Sequence, residues 1–162
     1  MTPIYQEHPY HAPERGIFGD CYRAALASLL DMPLADVPHF VKYPEDQRRD
    51  VYREFLRPLG LIPVNIPGAE FWSVIVNTGI DCLHLILGAA KDDGCPHTCV
   101  GRNGVIVHDP GPDQKGLEGE IENWMMVVFV KTFTQPSSVE VGDRSTEATH
   151  QEGRAPCNNE RK

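Results

Sequence analysis

The spacing of hydrophobic residues along the chain changes once, near residue 60. Before that point, apolar residues recur at helical intervals from Cys21 to about Leu30 and from Pro44 to about Arg57. Asp20 is a favourable N-cap, and we expect its carboxylate to turn toward the N–H groups that open the first helix. Met32-Pro33 stops that helix, because a residue before proline disfavours helical backbone. Two amphipathic helices are therefore predicted in the first third of the chain.

Beyond residue 60 the pattern favours β-strands. Asn103-Gly104 lies between two β-rich runs, which is a strong hairpin signal. Prolines in the first extended segment restrict it to an edge of the sheet. The predicted strands are Leu61 to Ile66, Cys82 to Ala89, His97 to Gly101, Val105 to His108 and Trp124 to Phe133, and Glu70 to Asn77 is ambiguous between helix and strand. Helices followed by an antiparallel sheet predict an α+β fold.

The two ends of the chain differ in composition from its middle. Residues 1–16 predict an irregular arm that packs across the domain, and residues 17–133 predict one domain. Residues 134–162 are rich in Ser, Glu, Thr and Asn, with little apolar surface to bury, and predict a disordered tail. The chain contains neither a run of eighteen apolar residues nor a signal-peptide pattern. We therefore expect a cytoplasmic protein that does not enter the membrane.

The charge of the chain argues against nucleic acid as a partner. The formal net charge is −8, whereas domains that bind a phosphate backbone concentrate Lys and Arg on one face. The second predicted helix carries four arginines, but acidic residues alternate with them, which is typical of a solvated helix face. The arginines are Arg48, Arg49, Arg53 and Arg57.

The cysteine count directs attention to thiol or metal chemistry. There are five cysteines, and an odd number without a secretion signal does not predict a disulfide framework. Cys21 opens the first predicted helix, where the helix dipole favours the thiolate, and the thiolate is the nucleophile. The free N–H groups at this helix start, next to Asp20 and Cys21, can donate to an oxyanion.

The predicted hairpin supplies a base and its partner. His97 opens one strand and Asp109 follows the other, so antiparallel pairing can bring the two ends together. The imidazole would take the thiol proton and return it to a leaving group, while the carboxylate fixes its tautomer. His108 is adjacent to Asp109 and points to the opposite face, so we prefer His97 as the base.

These segments resemble the papain-like cysteine peptidases, in the compact bacterial and phage forms related to bacteriocin-leader peptidases and cell-wall amidopeptidases. The similar parts are Gly19-Asp20-Cys21 through Leu30, Pro38-His39-Phe40, and His97 with His108-Asp109-Pro110, within about residues 15 to 132. The resemblance implies a central helix that bears the nucleophile and packs on an antiparallel sheet. It also implies a Cys21-His97-Asp109 triad that acts on an amide or peptide bond of a protein or peptide substrate and needs no cofactor.

One departure from this family concerns the oxyanion hole. Many relatives place a glutamine about six residues before the cysteine, where this chain has Arg15. Gln6 reaches the site only if the arm folds back, and the carboxylate of Asp20 would oppose negative charge if it faced the pocket. The oxyanion hole would then depend mainly on the N–H of Cys21. A catalytically weak or inactive member that binds a protein partner is therefore the alternative to an enzyme.

A zinc site is the rival interpretation of the second segment. Cys95-x-His97-x-Cys99, with His84 or His108 nearby, places alternate side chains on one strand face. Closed zinc sites usually use spacings of two to four residues in turns. We therefore expect no metal, with Cys99 in the core and Cys95 in a loop.

Overall fold

The computed structural model describes residues 1–91 and 93–132, so the tail predicted for 134–162 lies outside the described residues. Three α-helices and five β-strands make up this part of the chain. The helices are α1 (Cys21–Leu30), α2 (Glu45–Leu56) and α3 (Gly68–Val74). The strands are β1 (Leu61–Pro67), β2 (Leu83–Ala89), β3 (Pro96–Arg102), β4 (Val105–His108) and β5 (Met125–Lys131).

All five strands form one antiparallel sheet in the order β1-β5-β2-β3-β4. The α+β prediction is therefore confirmed. β1 lies at an edge, as its sequence predicted, because Pro63 and Pro67 lack the N–H that a central strand donates on both sides. The hairpin between β3 and β4 turns at Asn103-Gly104, where both residues have a positive φ.

The two faces of the sheet bury separate cores. α1 covers one face with Ala24, Ala25, Leu26 and Ala27, all fully buried. The small alanines allow the helix to lie close to Leu85, Val100 and Val127 on the sheet. Residues along a strand point alternately to the two faces of the sheet. The strand residues next to Leu85, Val100 and Val127 are therefore buried on the opposite face. That second core consists of Phe71, Ile86, Cys99, Leu117 and Met126.

The segment whose pattern was ambiguous, residues 70–77, contains the end of α3 and a short 3₁₀ turn. Phe71 is fully buried from α3 in the second core, against His84 of β2 at a ring-centroid distance of 4.5 Å. The segment is too short for the spacing of its apolar residues to distinguish a helix from a strand. In the structure it is helical where the side chain of Phe71 packs into the core.

The arm at residues 1–16 folds back over the start of α1. The N–H of Ile4 donates to Ser28 Oγ at 2.8 Å, and the N–H of Gln6 donates to the carbonyl of Pro110 at 3.0 Å. These contacts join the arm both to α1 and to the segment after β4. Within residues 1–91 and 93–132, no helix has the length and apolarity to cross a bilayer.

Candidate active site

Cys21 is the first residue of α1 and is half-buried, with its side chain on the wall of a cavity of about 880 Å³. His97 and Gln6 line the same cavity. A helix start presents backbone N–H groups that have no partner within the helix. The structure therefore brings the predicted nucleophile, the predicted base and a glutamine from the arm to one cavity.

Asp109 holds the imidazole of His97. The Nε2 atom of His97 lies 2.8 Å from Oδ1 of Asp109. The same carboxylate accepts the N–H of Gly111 on Oδ1 and that of Gly116 on Oδ2, both at 2.7 Å. Burial alone raises the pKa of Asp109, but the bonds to His97, Gly111 and Gly116 outweigh it and lower the pKa. Asp109 is therefore an ionised, fixed acceptor for one nitrogen of the ring.

A β-bulge in the hairpin turns Asp109 toward His97. The pairing of β3 with β4 shifts by one residue at Val107, between the pairs Gly101–Ile106 and Val100–His108. A regular ladder would continue with Asp109 opposite Thr98, on the face away from His97. With the extra residue, Asp109 follows in register with Cys99, which lies two positions from His97 and shares its face. The bulge thus decides which side of the sheet receives the carboxylate.

The imidazole also interacts with two thiols. Burial alone lowers the pKa of the His97 ring. Hydrogen bonds to Asp109, Cys21 and Cys99, and the charge of Cys21, outweigh burial and raise that pKa to about 12. Because Nε2 bonds Asp109, Nδ1 is the ring nitrogen left for a thiol. His97 is therefore an imidazolium over a wide pH range when a thiolate lies beside it.

Cys99, which the sequence predicted as a core residue, also lies beside the imidazole. It is fully buried in the second core, and burial raises the pKa of its thiol although its bond to His97 lowers it. Its position two residues after His97 was the signal, because residues i and i+2 of a strand share a face. Cys99 does not line the cavity that holds Cys21, so of the two thiols beside His97 it is Cys21 that can meet a ligand.

The prediction that the Asp20 side chain caps α1 is wrong. Its carboxylate makes no cap hydrogen bond. It accepts the backbone N–H groups of His8 at 2.8 Å and Glu7 at 3.3 Å, and it lies 3.8 Å from Arg23. Asp20 therefore fastens the arm to α1, and the first N–H groups of the helix are left without a side-chain cap.

Gln6 reaches the site because the arm folds back. Its Oε1 is buried without a hydrogen-bond partner, and its Nε2 makes a long contact of 3.5 Å with the carbonyl of His8. Arg15, six residues before Cys21, lines the same cavity with a side chain that is 77% exposed. The cavity thus receives an amide side chain from a different part of the sequence.

Two other histidines are placed away from this chemistry. His108 bonds the carbonyl of Ile4 at 2.8 Å, and the bulge sets it opposite Val100 rather than beside His97. His84 is fully buried, with Nδ1 3.1 Å from the carbonyl of Cys82 and Nε2 without a partner. Both serve contacts within the fold.

Among the described residues, one group could hold a metal ion: His97, Cys99 and Asp109, whose ligand atoms lie within 4.8 Å of one another. Cys95, His84 and His108, which the zinc interpretation required, are not members of it. Cys95 is exposed in the turn before β3, where its N–H donates to Asp93. The imidazole–carboxylate bond of His97 already uses two of the three groups.

No protein-family model, curated protein or solved structure matches the chain. A thiol at a helix start shares a cavity with an imidazole that a buried carboxylate orients, and these are the three parts that nucleophilic thiol catalysis requires.

Proposed function

We propose that the protein is a thiol hydrolase or acyl transferase that acts on an amide or peptide bond through Cys21, His97 and Asp109. The observation that carries the proposal is the shared cavity wall: Cys21 and His97 line it together, and Asp109 holds the far nitrogen of the imidazole. The raised pKa of His97 adds support, because a protonated ring beside Cys21 can donate a proton to a leaving group.

The reaction begins when the Cys21 thiolate attacks the carbonyl carbon of the amide. His97 donates its proton to the amine nitrogen as the C–N bond breaks, which leaves a thioester on Cys21 and a neutral imidazole. A water molecule then attacks the thioester and gives a proton to His97. The acid product leaves and the thiolate–imidazolium pair returns; with an amine in place of water, the outcome is acyl transfer.

Two groups are positioned to stabilise the oxyanion. The first is the backbone N–H of Cys21, at a helix start that Asp20 leaves without a side-chain cap. The second is Gln6, whose amide group is a potential N–H donor and whose side chain lines the Cys21 cavity.

A papain-like arrangement is part of this proposal. The support for it is the helix that bears Cys21 at its start, packed on an antiparallel sheet whose neighbouring strands β3 and β4 bring His97 and Asp109 together. A catalytically weak protein that binds a partner in the same cavity is the second candidate. It is favoured by the Gln6 amide nitrogen, which contacts the His8 carbonyl at 3.5 Å.

An activated ester tests the proposal without knowledge of the natural substrate. We expect p-nitrophenyl acetate to acetylate Cys21, as located by mass spectrometry, and to release nitrophenolate over many turnovers. Cys21→Ala should abolish turnover, whereas Cys82→Ala, which removes a thiol that lies on neither cavity wall, should leave it unchanged. Acetylation spread over the exposed thiols, or an adduct on Cys21 that never hydrolyses, would contradict the proposal and favour the binding protein.

A further inference from the structure

We propose that the substrate is an acidic polypeptide whose carboxylates lie along α2 and pair with Arg49, Arg53 and Arg57. This inference rests on the proposed function, because it names the substrate class for the same Cys21 cavity. Three features of the described residues carry it: a groove that continues away from Cys21, a one-sided distribution of charge on α2, and a length that fits an extended peptide.

The Cys21 cavity continues into a second cavity of about 810 Å³ between α2 and β1. Tyr22, Arg49, Tyr52 and Leu87 line both cavities, so the two form one groove. The hydroxyls of Tyr22 and Tyr52 lie 2.6 Å apart where the cavities meet. Burial raises the pKa of Tyr22 and raises that of Tyr52 to about 12, so this junction carries no negative charge.

The arginines of α2 lie on the groove, and its acidic residues do not. Arg49 and Arg53 of α2 and Arg57, the residue after its last turn, which keeps helical backbone angles, follow at intervals of four residues and lie on one face. All three line the second cavity, and none of the described residues that line it is acidic. The acidic residues of the helix lie on neither cavity wall: Glu45, Asp46, Asp50 and Glu54. The sequence pattern of alternating charges thus separates in space into a basic wall and an acidic outer face.

Arg48 extends this basic wall to the Cys21 cavity. Its guanidinium donates to the carbonyls of Tyr43 at 2.9 Å and Val41 at 3.2 Å, which fixes its position. Arg53 has one acidic neighbour, Asp50 at 3.9 Å, and both side chains are exposed. Such a pair is weak in water, so Arg53 remains available to a ligand carboxylate.

The dimensions favour a peptide as the occupant. From residue 49 to residue 57, the helix rises about 12 Å, a distance that about four extended residues span. Ile62 on β1 offers an apolar surface on the second cavity, with 51% of its area exposed. Nucleic acid fits less well, because the proposed thiolate attacks the carbonyl carbon of an amide bond, which a peptide backbone supplies.

The binding of model peptides tests this proposal apart from turnover. The full chain with Cys21→Ser is titrated into fluorescein-labelled oligoglutamate of about eight residues, long enough for the groove and the thiol position. Oligoglutamine of the same length and single-stranded oligo-dT are the comparison probes. We expect oligoglutamate to bind most tightly, with an affinity that falls as NaCl is raised.

Substitutions then locate the binding. Arg49→Gln and Arg53→Gln should each weaken oligoglutamate binding roughly two- to fivefold, since exposed pairs contribute this much, and together more. Arg102→Gln removes the same charge at the far end of β3, where Arg102 pairs with Asp81, and should have no effect. The proposal would be overturned if oligoglutamine bound as tightly as oligoglutamate, if oligoglutamate did not bind, or if all three variants lost affinity equally. Tighter binding of oligo-dT that depends on the same arginines would also overturn it and assign the groove to nucleic acid.

Peptide binding and turnover at Cys21 together distinguish a failure of this inference from a failure of the proposed function. If the arginine variants bind oligoglutamate normally while the wild-type protein still acetylates and turns over at Cys21, only the acidic-substrate proposal is wrong. If Cys21 does not turn over, the proposed function is wrong, and any arginine-dependent binding of oligoglutamate then belongs to a binding protein.

Discussion

The Nε2 atom of His97 lies 2.8 Å from the Oδ1 atom of Asp109 across a hairpin whose regular register would have kept them apart. The one-residue bulge at Val107 brings the carboxylate to the histidine's face of the sheet. Gly111 accommodates this arrangement, because a Cβ there would lie 3.0 Å from Asp109 Oδ1 and 3.5 Å from the His97 ring. The local backbone therefore specifies the orientation of the base.

Asp109→Asn tests the role of this carboxylate. The amide cannot accept all three hydrogen bonds that the carboxylate accepts, so the imidazole loses its fixed tautomer. We expect turnover of p-nitrophenyl acetate to fall about 10²- to 10⁴-fold. Asp113→Asn is the control, because Asp113 lies in the same loop and pairs with Lys115 at the surface. Equal activity of both variants, with folds verified by circular dichroism, would exclude Asp109 from the mechanism.

Gln6→Ala tests the proposed oxyanion donor. Loss of one such donor is expected to lower turnover about 10²-fold, while the alkylation rate of Cys21 stays unchanged, since alkylation forms no oxyanion. Gln47→Ala on the exposed side of α2 serves as the matched control. A drop in both turnover and alkylation would instead show that Gln6 only supports the shape of the cavity.

Asp20→Ala tests the attachment of the arm. The variant removes the carboxylate that accepts the N–H groups of Glu7 and His8, and hydrogen bonds to a charged group contribute about 1.5–3 kcal/mol to the free energy of unfolding. Urea denaturation measures this loss, and limited proteolysis should cut residues 1–16 faster than in the wild type. Asp36→Ala, a substitution of an exposed residue after α1, should change neither the free energy of unfolding nor the rate of cleavage. Cleavage of the arm in Asp20→Ala at the wild-type rate would refute the attachment.

His84 predicts a loss of stability in acid. Burial lowers the pKa of this fully buried ring in the folded state. As the pH falls below the ordinary histidine pKa of about 6.5, the unfolded chain takes up a proton that the folded chain resists, so the free energy of unfolding decreases by up to about 1.4 kcal/mol per pH unit. His84→Leu should flatten this slope between pH 6.5 and 5 in urea titrations. An unchanged slope would show that other groups cause it.

The sequence predicted those parts of the fold that depend on local patterns. α1 begins at Cys21 and ends at Leu30 as expected, and the prolines of β1 placed it at an edge. The hairpin at Asn103-Gly104 was also predicted correctly. These features follow from residue spacing, proline chemistry and turn preference, all of which act within a few residues of the chain.

The remaining features depend on distant contacts. Asp20 has the residue type of an N-cap, but the arm supplies N–H groups that compete for its carboxylate. Gln6 lies fifteen positions before Cys21, so no local motif joins the two. Cys99 contacts His97 from the core, and the bulge at Val107 has no signal in a β-rich run. Tertiary packing decided each of these.

The pH dependence of alkylation at each cysteine, in wild type and His97→Ala, tests the central claim most directly. An ordinary thiol is only about 1% thiolate at pH 6.5. The pKa values of Cys95, beside Asp93, and of half-buried Cys82 are raised further, so both thiols are internal references. We predict that iodoacetamide labels Cys21 rapidly at pH 6.5, that its rate changes little up to pH 8.5, and that His97→Ala removes this advantage. Labelling of Cys21 at pH 6.5 as slow as that of Cys95, or rapid labelling that survives His97→Ala, would contradict a thiolate–imidazolium pair.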